Sequence, residues 1–340
     1  MQMEQIIDAC GRESGIPFSG AAYAGDGEGK LFEGGFGYAN RSERIVNRID
    51  TRFGMASGCK IFTAAAICQL VEEGRLSFDA LLSDLPDMSF PRFDRGITVH
   101  HLLTHCSGIP DYFDEETMTD YADLWKAVPA YAMTSPASFL PMFRDKEMKF
   151  APGERFSYSN AGFIVLGLIV ERLTGMTFQA YVEERIFRPC GMTDSGYFRM
   201  DDLPERTAFG YIDGESGART NIYAVPVIGG PDGGAFTTVY DMDKFWQALL
   251  GNRLLSESMT KTMLTPHARY NENVRYGYGV WLSVIDNEIF KYYVTGSDPG
   301  VSMRSSVYPK SSLRIHLLAN SENVAGTVAR KIDEAVYSGS

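Results

Sequence analysis

Ser57-Gly58-Cys59-Lys60 is the first segment whose residue types and spacing could do chemistry. A serine hydroxyl is a weak nucleophile until a neighbouring base takes its proton. The segment opens an apolar helical pattern (Ile61, Ala64, Ala65, Cys68, Leu70, Val71) that Gly74 stops. Side chains three apart in the first helical turn share a face, so Lys60 reaches Ser57. Burial disfavours a charged amine and makes it a usable base. The open N–H groups and partial positive charge of a helix start suit a developing oxyanion. Alone, the tetrad says little: a Ser-x-x-Lys arises by chance roughly once in a chain of this length. A second one, Ser258-Met259-Thr260-Lys261, lies in a polar stretch that reads as a solvated helix face. The plain alternative is an N-cap serine followed by a surface lysine.

Two later segments change that balance. Phe156-Ser157-Tyr158-Ser159-Asn160 leads into the apolar run Phe163–Leu173. Tyr158 there offers a phenol as proton shuttle, and Asn160 an amide as substrate hydrogen-bond partner. Tyr38-Ala39-Asn40 has the same spacing but reads as a hairpin tyrosine with a turn asparagine. Val294-Thr295-Gly296-Ser297-Asp298-Pro299-Gly300 then ends an apolar strand in small residues. Such an edge can lie along a substrate, and an N–H near Ser297 together with that of Ser57 would form an oxyanion hole.

The elements that must position these groups fall into three stretches. An opening helix over Met3 to about Ser14 precedes strands near Ser19–Ala24 and Leu31–Tyr38, joined by a Gly-rich turn. The middle reads as loops and helices, clearest at His101–Thr104, Tyr121–Val128, Phe163–Leu173 and Phe178–Phe187. A helix over Asp241–Leu250 follows, then strands at Gly279–Ile285, Ile289–Thr295, Ser302–Tyr308 and Leu313–Ala319, and a closing helix at Val324–Val336. Strands near both termini around a helical middle predict an α+β fold with one antiparallel sheet built from both chain ends and a helical insertion.

Composition sets the outer bounds. At 340 residues, 44% hydrophobic and 22% charged, the chain is of ordinary globular type. A net charge of −11 without a basic cluster argues against nucleic-acid binding. The longest apolar run, Phe163–Val170, is far short of the roughly 20 residues of a membrane span. The polar start has no secretory pattern, and five scattered cysteines form neither a disulfide framework nor a zinc cluster. A cytoplasmic, reducing location is the expectation.

The order Ser-x-x-Lys, Tyr-x-Asn, x-Thr-Gly resembles the signature of the serine β-lactamase and penicillin-binding-protein superfamily. The Tyr-x-Asn form looks like class C β-lactamases and their relatives: D-aminopeptidases, DD-peptidases and β-lactamase-like esterases. Similar phrases surround it, among them Ile97–Pro110, Phe150–Asn160, Gly233–Thr238 and Tyr276–Gly279, so that the likeness runs from about residue 15 to 335. It implies a β-lactamase/transpeptidase-like fold: a discontinuous α/β domain of residues 1–74 and 225–340, and a mainly helical domain of 75–224. It also implies an acyl-enzyme on Ser57, with Lys60 and Tyr158 sharing acid and base work and Asn160, Thr295, Gly296 and Ser297 lining the substrate. No metal or cofactor is implied, and His105 reads as part of a scaffold turn.

One position departs from the pattern. Relatives carry Lys or His where this chain has Val294, and that cation recognises a substrate carboxylate or assists proton transfer. A hydrogen bond to a charged group contributes about 1.5–3 kcal/mol, so its loss weakens binding roughly tenfold to a hundredfold. Uncharged esters or small amides therefore become the expected substrates, unless another basic residue such as Arg304 substitutes. The alternatives are a penicillin-binding protein or D-Ala peptidase with weak β-lactam turnover, and a non-catalytic binding or sensor protein. The motifs leave the oligomeric state open.

Overall fold

The computed structural model describes residues 3–85, 88–215 and 217–338. Its frame is an eight-stranded antiparallel sheet drawn from both ends of the chain. In chain order the strands are β1 (Gly20–Gly25), β2 (Lys30–Phe36), β3 (Ala268–Arg269), β4 (Val274–Tyr276), β5 (Trp281–Ile285), β6 (Glu288–Asp298), β7 (Val301–Tyr308) and β8 (Leu313–Ala319). Across the sheet they run β2-β1-β8-β7-β6-β5-β4-β3. The first hairpin thus pairs with the last strand, Gly20 opposite Ala319.

Both faces of the sheet are covered, which explains strands that are apolar on both sides. Ala22 and Ala24 of β1, with Ile315 and Leu317 of β8, meet helices α1 (Met3–Ser14) and α5 (Val324–Ser338). The contacts are Met3, Ile7 and Cys10 of the first and Val324, Ala325, Val328 and Ile332 of the second, each set on one helical stripe. Ala21, Val294, Met303 and Leu318 face the opposite way, into the main core. That core contains α2 (Lys60–Glu72), α3 (Asn160–Thr174) and α4 (Val239–Leu250). Helix α2 is buried almost all round, as a central core helix must be.

A buried polar network ties α4 to the sheet. Trp246 Nε1 donates to Ser305 Oγ at 2.7 Å, Ser305 meets His316 Nδ1 at 2.8 Å, and Asp243 holds both His316 Nε2 and Arg314 Nε, at 3.3 and 2.6 Å. Ser305, His316 and Asp243 repeat the residue types of a hydrolytic triad, but Ser305 and His316 are 0% exposed, so they brace the core and meet no substrate.

Between the ends, residues 75–224 hold α3, shorter helical turns and long connections. They also carry a β-hairpin, Tyr211–Gly214 with Gly217–Thr220, which sequence reading missed because its strands are polar and short. The predicted helix from Ser57 is a 3₁₀ turn over Ala56–Cys59 that becomes α-helical at Lys60. No single helix among the described residues is long and apolar enough to cross a membrane.

Candidate active site

Ser57 sits on that 3₁₀ turn at the head of α2. The preceding residue, Ala56, has φ of 46°, in the left-handed region that non-glycine residues rarely occupy. Surrounding bonds hold it there: Met55 N–H donates to Ala235 O at 2.8 Å, and Gly234 N–H to Ala56 O at 3.3 Å. A backbone held in a sparsely populated conformation beside a nucleophile is a mark of a functional turn.

Lys60 is 2% exposed and makes three short polar contacts. Its Nζ lies 2.9 Å from Ser57 Oγ, 2.8 Å from Asn160 Oδ1 and 2.5 Å from the backbone oxygen of Asp232. Tyr158 lies beside this pair: Lys60 Nζ stands 4.9 Å from the centre of its ring, and the Ser57 side chain acts on its phenol. Burial pushes the Tyr158 phenol well above its ordinary range, with the charge of Glu115 acting in the same direction and the Ser57 contact opposing it. The phenol is therefore protonated at neutral pH.

Helix α3 delivers Asn160 to this point. Ser159 caps the helix by accepting the Gly162 N–H at 3.0 Å. Asp111, 6% exposed, accepts the Asn160 and Ala161 N–H groups at 2.6 and 3.1 Å. The Asn160 side chain accepts from Lys60 through Oδ1, and together with the charge of Lys60 it opposes the burial that raises the Glu115 carboxyl. His105 is 1% exposed, and its Nδ1 accepts the Ser159 N–H at 3.0 Å. Burial and the nearby Lys60 hold its imidazole well below the usual range, so it is a neutral scaffold residue, as the turn reading expected.

Strand β6 closes the other side. Its pairing with β5 ends at Tyr293, so Val294–Asp298 is paired with β7 alone among the described residues. Gly296 lies against the nucleophile turn: a Cβ there would come within 2.0 Å of Met55 O and 2.8 Å of Gly58 N. Both are backbone atoms and cannot swing aside. Gly296→Ala is therefore expected to push β6 off the turn. A displacement of about 1 Å costs on the order of 10²-fold in rate, and overpacking costs roughly 1–3 kcal/mol. Steady-state kinetics alongside thermal melts should show both losses; a variant with wild-type rate and Tm would refute the close approach.

Val294 is 2% exposed and faces the main core. Arg304 does not replace the missing cation. It pairs with Thr295, so its side chain leaves the opposite face of the sheet from Val294, and it packs 4.5 Å above the Tyr293 ring. Of the predicted residues, Lys60 hydrogen-bonds Ser57 and Asn160 and stands by the Tyr158 ring, while Thr295, Gly296 and Ser297 line the cleft beside them. The second Ser-x-x-Lys lies on the helix Glu257–Met263 with both side chains exposed, and Tyr38 is 44% exposed on a separate strand. Cys59 is fully buried, and burial pushes its thiol up to about 12, which makes it a packing residue.

Sequence reading missed Asp111, Glu115, Asp232 and Asp298. Asp111 stands one residue beyond the Ile97–Pro110 phrase and Asp232 one before Gly233–Thr238, so the signal lay at the edges of segments already singled out. Asp298 lies inside the third motif, on the same face of its strand as Gly296, and lines a cavity with Ser57.

The chain belongs to the beta-lactamase family, which it matches over residues 3–336. This places it in the serine β-lactamase and penicillin-binding-protein superfamily of serine hydrolases. It is similar to a penicillin-binding protein from Bacillus halodurans whose structure is known: 50% identity, 98% of this chain and 100% of that one, TM-score 0.93. Penicillin-binding protein 4* of Bacillus subtilis (strain 168) is 29% identical over 326 residues, covering 90% of this chain and 68% of its own. D-amino acid amidase from Ochrobactrum anthropi shares the fold, with 21% identity, 99% and 98% coverage and a TM-score of 0.80.

Proposed function

We propose that this protein hydrolyses uncharged esters or small amides through an acyl-enzyme on Ser57. The seat of Lys60 carries the reading. Beyond its carbon, an amine has three bonding directions. Two are taken by acceptors, Asn160 Oδ1 and the Asp232 carbonyl, and the third points at Ser57 Oγ. Held this way, Nζ faces the hydroxyl whose proton it is to take.

Ser57 Oγ attacks the substrate carbonyl carbon while its proton passes to Lys60. The Ser57 and Ser297 N–H groups meet the resulting oxyanion. Collapse breaks the bond to the leaving group, which receives a proton through Tyr158. Water then attacks the acyl carbon, its proton returns along the same groups, and Ser57 is regenerated. Burial of Val294 and the outward course of Arg304 remove the usual carboxylate anchor, which favours uncharged substrates.

The names of the relatives favour a second reading, in which β-lactams or D-Ala peptides acylate Ser57 and leave slowly. Sheet strands from both chain ends support the division into 1–74 with 225–340 and an inserted 75–224. Free thiols at all five cysteines suit a reducing, cytoplasmic setting.

One experiment separates these readings. The protein is incubated with a short-chain nitrophenyl ester, a chromogenic cephalosporin and a D-Ala-terminated peptide, and intact mass is recorded. Ester turnover without a lasting β-lactam adduct is the expected result. A stable adduct without turnover moves the assignment to the second reading. Neither turnover nor adduct leaves a binding protein.

A further inference from the structure

One residue holds the backbone on both sides of Tyr158. Ser157 N–H donates to the backbone oxygen of His105 at 2.8 Å, and Ser159 N–H donates to His105 Nδ1 at 3.0 Å. Ser159 is extended, at φ of −139° and ψ of 117°. The phenol ring between these two bonds lies over the imidazole, with centroids 4.4 Å apart. His105 is itself at φ of 57°, in the left-handed region.

An imidazole is costly in this place. Because Nδ1 accepts a backbone N–H, the proton of the neutral ring sits on Nε2. That Nε2 is buried and has no hydrogen-bond partner among the described residues. The rings of Phe156, Tyr158, Phe163 and Tyr276 surround the imidazole, with centroids 4.4 to 5.5 Å away. A buried donor without an acceptor destabilises the fold, and an apolar side chain would fill the same aromatic box without that cost. Packing therefore does not account for a histidine here, whereas the acceptor at Nδ1 does. Burial and the charge of Lys60 keep a second proton off the ring, so Nδ1 stays an acceptor.

We propose that His105 is a positioning residue for acyl transfer: by accepting the Ser159 N–H at Nδ1 it sets the Tyr158 phenol against Ser57 and Lys60, and the rate depends on that acceptor. The proposal rests on the reading of Tyr158 as the group that passes a proton to the leaving group. The other members of the site are held independently of His105. Asp111 accepts the Asn160 and Ala161 N–H groups, and Lys60 is seated by Asn160 Oδ1 and the Asp232 carbonyl. Loss of the Nδ1 acceptor therefore leaves the buried Ser159 N–H bare and releases the backbone on one side of Tyr158 alone. The Ser157 bond goes to a backbone oxygen and survives any side chain at 105, so the phenol shifts without the segment coming away.

The test measures kcat and KM for short-ester hydrolysis, with Tm, in His105→Leu, His105→Asn, Tyr158→Phe and the Tyr158→Phe/His105→Leu double variant. Asparagine is the conservative change, since its Oδ1 reaches the place of Nδ1 and it tolerates a left-handed backbone. His105→Leu should lower kcat on the order of 10²-fold, the effect of misplacing a reacting group by about 1 Å, and should move KM little. His105→Asn should keep kcat within about twofold of wild type although its Tm falls, because the aromatic box loses a ring while the acceptor stays. Added to Tyr158→Phe, His105→Leu should cost at most about a further twofold, since it acts only through the phenol. A wild-type kcat in His105→Leu, equal losses in the leucine and asparagine variants, or losses that multiply in the double variant overturn the proposal. If the leucine variant does not fold, His105→Gln, whose amide reaches the place of Nε2, replaces it with the same expectation. Absence of ester turnover, or a wild-type rate in Tyr158→Phe, counts instead against the hydrolase reading. Crystal structures of the two His105 variants then decide. A Tyr158 oxygen displaced by about 1 Å with leucine and in place with asparagine sustains the proposal, and an unmoved phenol with leucine overturns it.

Discussion

Ser57→Ala should lower short-ester turnover by about 10³-fold or more and abolish every acyl adduct detectable by intact mass. The figure follows from the loss of the attacking atom, since serine hydrolases without their nucleophile keep only the catalysis supplied by binding and the oxyanion hole. The fold should survive. Lys60 keeps Asn160 Oδ1 and the Asp232 carbonyl as partners, and the Ala56 turn is held by Ala235 and Gly234 through backbone bonds. Thermal melts of the variant should therefore lie close to wild type. Residual turnover within tenfold of wild type, in a folded variant, would mean that another group attacks the carbonyl.

Lys60→Met carries the second large effect. Methionine is an unbranched apolar side chain that fills much of the same volume, so what it removes is the amine. Loss of a general base costs on the order of 10²–10⁴-fold. The change also leaves two buried acceptors, Asn160 Oδ1 and Asp232 O, without the donor they now share. A buried unsatisfied group costs roughly 1–3 kcal/mol, so a lower Tm should accompany the lower rate. Lys60→Arg separates the two roles. Guanidinium can donate to both acceptors but cannot give up a proton. Recovery of Tm without recovery of rate is the outcome expected of a proton-handling lysine. Substantial rate recovery with arginine would show that Lys60 acts by charge alone.

The long strands were legible chiefly from the turns that bound them, as in the Gly-rich link between β1 and β2. That both faces of the sheet are covered, by α1 and α5 on one side and the main core on the other, emerged only in the fold. Strands β3 and β4 were not legible, since two or three residues carry no period. The nucleophile pair was legible because its geometry is local: three residues along one turn bring Lys60 to Ser57 whatever surrounds them. Tyr158 and Asn160 were legible only through their spacing and order, as no local rule places them about a hundred residues away against that turn.

Residue types and spacing thus determined the groups available for acyl transfer, the helix that carries two of them and the absence of a cation at Val294. Tertiary structure alone decided three things: which acceptors hold Lys60, on which face of the sheet Arg304 emerges, and that Asp298, Glu115 and Asn221 share one cavity beside Ser57. The reason is physical. Local chain geometry sets contacts a few residues apart, whereas side chains more than a hundred positions apart meet only where sheet register and helix packing bring their backbones together.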